Sequence, residues 1–330
     1  MTLLHTRIAD LPTCDADARA AVEKRAGDVL RLSGPLAWLD ETAVWMAGWQ
    51  RTDHPAVRRP AGLIFAADHG IAAAVEISAY PPDVTAQMLA AYQAGTSTVH
   101  AFARIVGASV TAVDVGVGRP TGDIRTEPAL TEQRFDEVVQ IAFGAVDALD
   151  CDLLVLGEMG IGNTTASAAI AAALTGGETT AWVGRGTGVD DEGLARKRAA
   201  VQQAQRRIAG ITDPIEMLRE VGGAELAALA AATIAARHRS IPVVLDGYAV
   251  TASVLPLSVA DSAALDHCIV GHCSAEPGHR KLLERMGKRP LLDLDMRLGE
   301  GSGAMAAVPL IAMACAGITE VPTFAEWYGT

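Results

Sequence analysis

From Gly62 onward, short apolar and β-branched runs alternate with longer alanine-rich stretches whose apolar positions recur at helical spacing. Strands covered by helices on both faces need no polar face and read as continuous apolar runs, so this alternation predicts a parallel sheet between helical layers. The predicted strands are residues 63–67, 109–114, 153–157, 241–245 and 268–271. Helices are predicted at about 83–106, 132–148, 164–175, 191–209, 223–237, 277–286 and 303–316. Upstream, residues 16–50 carry helical spacing broken at Ser33-Gly34-Pro35, which predicts two helices ahead of the main fold. Residues 118–131 and 176–189, marked by Gly, Pro, Thr and Asp, are the expected irregular loops.

Each predicted strand runs into glycine or polar residues: Asp68-His69-Gly70, Asp114-Val-Gly116, Glu158-Met-Gly160, Asp246-Gly247 and His272-Cys-Ser-Ala-Glu276-Pro-Gly278. Open α/β sheets bind ligands beyond the carboxyl ends of their strands, so one rim is expected to gather most of the chemistry.

Composition narrows the partners. Half of the 330 residues are apolar, enough for a sizeable core. With 39 acidic residues against 27 basic ones, the formal charge of -12 argues against broad attraction to nucleic acid or anionic lipid, and an anionic substrate needs a local pocket. The first ten residues lack the basic start and apolar centre of a secretory signal. Residues 303–317 are fewer than the roughly 20 a membrane span needs, and Pro309 interrupts them. The expectation is a cytoplasmic protein without membrane contact. Five scattered cysteines with no CxxC pair fit reduced thiols. The metal-like run His267-Cys268-Ile-Val-Gly-His272-Cys273 lacks zinc spacing, and its adjacent side chains diverge on a strand, so no metal is assigned.

Three glycine-rich segments carry candidate chemistry. Gly157-Glu-Met-Gly160-Ile-Gly162-Asn163-Thr164-Thr165 lies between a strand and an alanine-rich helix, where free N–H groups and the helix dipole can hold a phosphate. It has P-loop spacing, but Asn163 stands where the P-loop has lysine, so a monophosphate ester suits it better than a nucleoside triphosphate. Gly184-Arg185-Gly186-Thr-Gly188, followed by a helix bearing Arg196-Lys197-Arg198, offers backbone donors and positive charge for phosphate or ribose. Arg297-Leu298-Gly299-Glu300-Gly-Ser-Gly303 sets one carboxylate among glycines that can approach a ligand, making Glu300 a candidate general base. The stretch Ser78-Ala-Tyr80-Pro-Pro-Asp-Val-Thr-Ala-Gln87-Met88 combines a hydroxyl, an aromatic, an amide and a thioether, a mix suited to a flat heteroaromatic ligand. Taken singly, each segment also has a plainer reading, as a strand-to-helix connection, a solvated surface turn or ordinary core packing.

Together they make the chain resemble the nicotinate-nucleotide:dimethylbenzimidazole phosphoribosyltransferase family over nearly its whole length. The resemblance rests on the segments above and on Leu32-Ser-Gly-Pro-Leu36, Phe65-Ala-Ala-Asp-His-Gly70, Leu245-Asp246-Gly247, Ser274-Ala-Glu-Pro-Gly-His279, Leu291-Leu-Asp-Leu294 and Thr323-Phe324. It implies a Rossmann-like, six-stranded parallel domain over residues 56–317, a small helical domain formed by residues 1–55 and about 318–330, and a homodimer. It also implies that Glu300 deprotonates a benzimidazole nitrogen while the other nitrogen attacks the ribose anomeric carbon of nicotinate mononucleotide, with neither metal nor cofactor. Glu158 and Lys197 would lie near the nucleotide, and Ser78, Tyr80, Gln87 and Leu298 would surround the base. Gly162, Asn163, Thr164, Gly184 and Ser274 would hold phosphate and ribose, and Gly160, Arg185, Gly186, Asp246 and Gly299 are assigned with them.

Three features depart from the family pattern. The loop following Val115-Gly-Val-Gly118 is short, no glycine precedes Asp68, and Cys273 stands where arginine is common. Competing expectations are therefore a divergent paralogue with another aromatic acceptor, a non-catalytic nucleotide- or base-binding protein, and an NTPase, the last disfavoured by Asn163.

Overall fold

The computed structural model describes residues 1–32 and 34–329. Ser33, in the expected helix break and the 32–36 motif, and Thr330, at the end of the expected terminal segment, lie outside the described residues.

The described residues form one parallel sheet of β1 (Pro60–Ala67), β2 (Ser109–Gly116), β3 (Leu153–Met159), β4 (Val243–Leu245), β5 (Cys268–His272) and β6 (Pro290–Leu292). Their spatial order is β2-β1-β3-β4-β5-β6. Strand β1 is buried along its whole length and feeds two layers by side-chain alternation. Leu63, Phe65 and Ala67 face one core together with helices Glu132–Asp147, Ala224–His238 and Tyr248–Ala260, whereas Ile64 faces Met305, Val308 and Ile311 of helix Ser302–Thr319. The α/β expectation holds. Strand β6 escaped the residue pattern because it has three half-buried residues and opens on Pro290.

The predicted helix over 83–106 divides into Val84–Gln93 and Thr98–Val106, with Gly95 at φ 69° in the connection. A helix start leaves its first N–H groups without partners inside the helix, and here one of them serves the site described below. Helix Tyr248–Ala260 is new relative to the sequence pattern: residues 248–257 are buried on all sides, so no polar face marks the period, and Val250, Thr251, Val254 and Pro256 mask its helical character.

Helix Ser302–Thr319 is long and apolar enough to cross a membrane by length and composition. Its first half packs beneath the sheet, and Ala314 and Ile318 in its second half pack on Val22, Ala43 and Ala47 of helices Ala16–Asp28 and Trp38–Gln50. The chain ends meet there. Val29 bridges to Thr323, and the Arg25 guanidinium donates to the carbonyls of Ile318 and Val321 and pairs with Glu326 at 3.0 Å. The first turn of the chain behaves differently: helix Leu3–Ile8 buries Leu4 and Ile8 in the main core.

Candidate active site

The strand order makes β1 and β3 neighbours whose onward connections part in opposite directions, which opens a crevice at their carboxyl ends. A cavity of about 490 Å³ lies at this rim, bounded by Glu158 at the end of β3, Gly247 after β4, His272 and Ser274 at the end of β5, and the loop from Arg297 to Glu300. Val84, Met88 and Tyr92 close one side, spaced four apart on a single helical face. A larger cleft of about 720 Å³, lined by Trp38, Trp45 and Trp49, opens instead near the start of β5, on the side of the sheet where this topology does not place ligands.

Glu300 is 3% exposed and occupies the left-handed region at φ 59°, between Gly299 at 82° and Gly301 at 85°. Three successive left-handed residues follow no regular element, and a non-glycine held there is strained. Close contact with β3 shapes this bend, because a Cβ at Gly157 would lie 2.4 Å from the Glu300 carbonyl carbon. The Glu300 carboxylate accepts the Val99 N–H at 2.9 Å, one of the free donors created by the break before helix Thr98–Val106. Burial raises its pKa, and the Val99 N–H and Tyr92 hydroxyl oppose that shift.

Glu158 lies across from it, close to Gly299, and the Asn163 side-chain amide donates to its carboxyl group. Burial, reinforced by the charges of Glu225 and Asp246, pushes Glu158 up to about 8. Beneath Gly160, His69 and Glu225 form a fully buried pair at 2.6 Å. The site therefore stacks carboxyl groups on a dry floor, an arrangement that favours developing positive charge above them.

The opposite wall suits an anion. Gly162 at φ 104° starts helix Asn163–Thr175 without a capping side chain, and Asn163 and Thr164 reach the cavity. Lys197, 1% exposed, donates to Thr164 Oγ1 at 2.9 Å and lies immediately under Gly186. Burial lowers its pKa to about 8, which the nearby Glu276 opposes.

Among the residues assigned from the sequence, Glu158, Glu300, Tyr80, Met88, Leu298, Gly160, Asn163, Thr164, Gly186, Ser274 and Gly299 line the cavity. Lys197 stands just behind it. Ser78 instead shares a hydrogen bond with Thr187 at 3.0 Å, which ties the two cover loops together, and Gln87 is exposed and donates to Asp83. Arg185 pairs outward with Asp191 at 2.6 Å, Gly184 packs against Glu276, and Gly162 against His69 and Ala72. Asp246 is fully buried and holds backbone N–H groups. Sequence reasoning missed Tyr92, which Met88 would have flagged four residues earlier, and the Val99 N–H, which has no side-chain signature.

A phosphoribosyltransferase family model matches residues 11–327. The chain belongs to the nicotinate-nucleotide:dimethylbenzimidazole phosphoribosyltransferase family. Family members named nicotinate-nucleotide–dimethylbenzimidazole phosphoribosyltransferase include one from Cereibacter sphaeroides, 45% identical over 96% of this chain and 93% of its own. Another, from a Ruegeria species, is 46% identical over 97% and 94%. A crystal structure of the enzyme of that name from Thermus thermophilus superimposes with a TM-score of 0.89 at 37% identity, covering 96% of this chain and 99% of the other. The family expectation and the Rossmann-like fold expectation both stand.

Proposed function

We propose that this chain transfers the 5-phosphoribosyl group of nicotinate mononucleotide to 5,6-dimethylbenzimidazole, giving α-ribazole 5′-phosphate and nicotinate. The observation that carries this reading is the buried Glu300 carboxylate, poised between the apolar stripe of Val84, Met88 and Leu298 and the anion-binding wall of Thr164, Gly186 and Lys197. The flat acceptor lies against the stripe, and the nucleotide phosphate lies at the helix start. Glu300 removes the proton from one ring nitrogen as the other attacks the anomeric carbon, and nicotinate leaves from the opposite face with its pyridine nitrogen neutral. Positive charge grows on the ribose during this step, and the Glu300 carboxylate, charged until it takes the ring proton, stabilises it. Backside attack inverts the anomeric centre and yields the α-riboside.

The same reading carries a homodimer, a cytoplasmic setting, and a small helical unit of residues 1–55 and about 318–330, apart from helix Leu3–Ile8, which packs in the main core. Exposed Trp327 and Tyr328 at the chain end support an apolar contact with a second copy, and five unpaired thiols support a reducing compartment.

The test incubates purified protein with nicotinate mononucleotide and 5,6-dimethylbenzimidazole and follows nicotinate and the riboside phosphate by chromatography and mass. Product with the mass of α-ribazole phosphate is expected. No product with any benzimidazole, phenol or purine overturns the transferase reading, and ATP hydrolysis in its place favours an NTPase.

A further inference from the structure

Helix Ser302–Thr319 begins immediately after the base, and its N-cap is Gly301, which has no side chain to satisfy the first-turn N–H groups. Asp246, arriving from the end of β4, supplies what is missing. One carboxylate oxygen accepts the Ala304 N–H at 2.7 Å, the position a capping side chain ordinarily serves, and the other accepts the Gly301 N–H at 3.2 Å. A carboxylate there is also favoured by the helix dipole. Asp246 is 0% exposed and absent from the cavity lining, while Gly247 and His272, beside it, reach the cavity. His272 Nε2 stands 3.4 Å from the Asp246 carboxylate, and Gly303 packs flat on the imidazole, where a Cβ would lie 2.1 Å from the ring.

We propose that Asp246 is a positioning residue for Glu300, fixing the base through the backbone on its carboxyl side rather than binding phosphate or ribose. The inference rests on the transferase reading. The left-handed bend at 299–301 belongs to no helix or strand, so its shape depends on a few contacts: Ser302 Oγ donating to the Gly299 carbonyl at 2.9 Å, the close approach to Gly157, and the two N–H groups held by Asp246. Removing one acceptor leaves a buried N–H without a partner and lets the bend move. Asp246 has a second effect on the base. Groups facing Glu300 are Tyr92 on helix Val84–Gln93, Glu158 on β3, Asp246 after β4 and the Val99 N–H, and His272 stands 3.4 Å from the Asp246 carboxylate. Burial is the main cause of the raised Glu300 pKa, and the Asp246 charge adds to it.

The experiment uses full-length protein in which wild-type transferase activity is measured first, so that failure of the transferase reading, seen as an inactive wild type, is separated from failure of this one. For Asp246→Asn, kcat is expected to fall about tenfold or more while the KM for nicotinate mononucleotide stays close to wild type. The acid limb of the kcat profile, set by protonation of Glu300, is expected to move to lower pH, because a negative charge that raised the pKa of the base has gone. Asp246→Glu keeps the charge but lengthens the side chain, so its rate falls with the limb unmoved. A raised nucleotide KM with intact kcat overturns the proposal in favour of a ligand role. An unmoved limb in Asp246→Asn, with rates lost only in proportion to the folded fraction, reduces Asp246 to a structural residue. If Asp246→Asn fails to fold, wild-type kcat in Asp246→Glu overturns the proposal by itself.

Discussion

Gly157→Ala adds a single methyl group to the central strand and tests whether the base is held by backbone contact. The new carbon would lie 2.4 Å from the Glu300 carbonyl carbon, 2.5 Å from its oxygen and 2.6 Å from the Gly301 nitrogen. Favourable contacts of this kind lie near 3.5–4.0 Å, so one side must retreat by about 1 Å. Strand β3 is paired on both sides and the 299–301 bend is not, so the bend moves. Overpacking on this scale costs about 1–3 kcal/mol. A shift of about 1 Å in a catalytic group lowers turnover by about 10²-fold. Steady-state kinetics with both substrates, together with thermal unfolding, should therefore show a strongly reduced kcat, a modestly lowered Tm and a nucleotide KM near wild type. A folded variant with full kcat would show that the Gly157 contact does not set the position of the base.

Three further outcomes are expected. Glu300→Gln should lower kcat by about 10²-fold or more with nucleotide affinity nearly unchanged, and wild-type turnover would move the base to another residue, with Glu158 next in line. Burial brings Lys197 down to about 8, so its ammonium discharges as pH rises past that value, and kcat/KM for the nucleotide should fall above about pH 8. Lys197→Met should raise KM and abolish that limb, and a limb that persists in the variant assigns it to another group. The Glu158 carboxyl is pushed from 4.5 up to about 8 on folding, so the folded state keeps a proton that the unfolded chain releases, and wild-type stability should decline as pH rises through that window. Glu158→Gln carries no such proton, and its Tm should decline less between pH 5 and 9; an identical slope in the two proteins counts against the shift.

The α/β class, the ligand rim and the glycine-rich segments were legible because each leaves a local mark: strands covered on both faces become unbroken apolar runs, and phosphate-approaching turns require glycine. The strand ends pointed to the rim, the family resemblance assigned Glu300, Glu158, Asn163 and Thr164 to one site, and the cavity at the switch point brings these four together. Tyr92 was legible in principle, since it continues the face of Val84 and Met88, but a helix read as continuous through 83–106 concealed its neighbour, the Val99 N–H. Helix Tyr248–Ala260 and strand β6 left no periodic signal, one because it is buried all round and the other because it is three residues long.

The sequence by itself determined which chemical groups this protein has and roughly where along the chain each one stands. Only the tertiary structure decided what those groups do. Lys197 and Arg185 both read as cations near a phosphate loop, yet one is buried against Thr164 and the other turns outward to Asp191. Asp246 stood with the phosphate and ribose ligands in the sequence reading, and it caps a helix whose N-cap stands 55 residues later. The reason is physical: orientation, burial and the pairing of backbone N–H groups depend on neighbours distant in the chain, which no local pattern records.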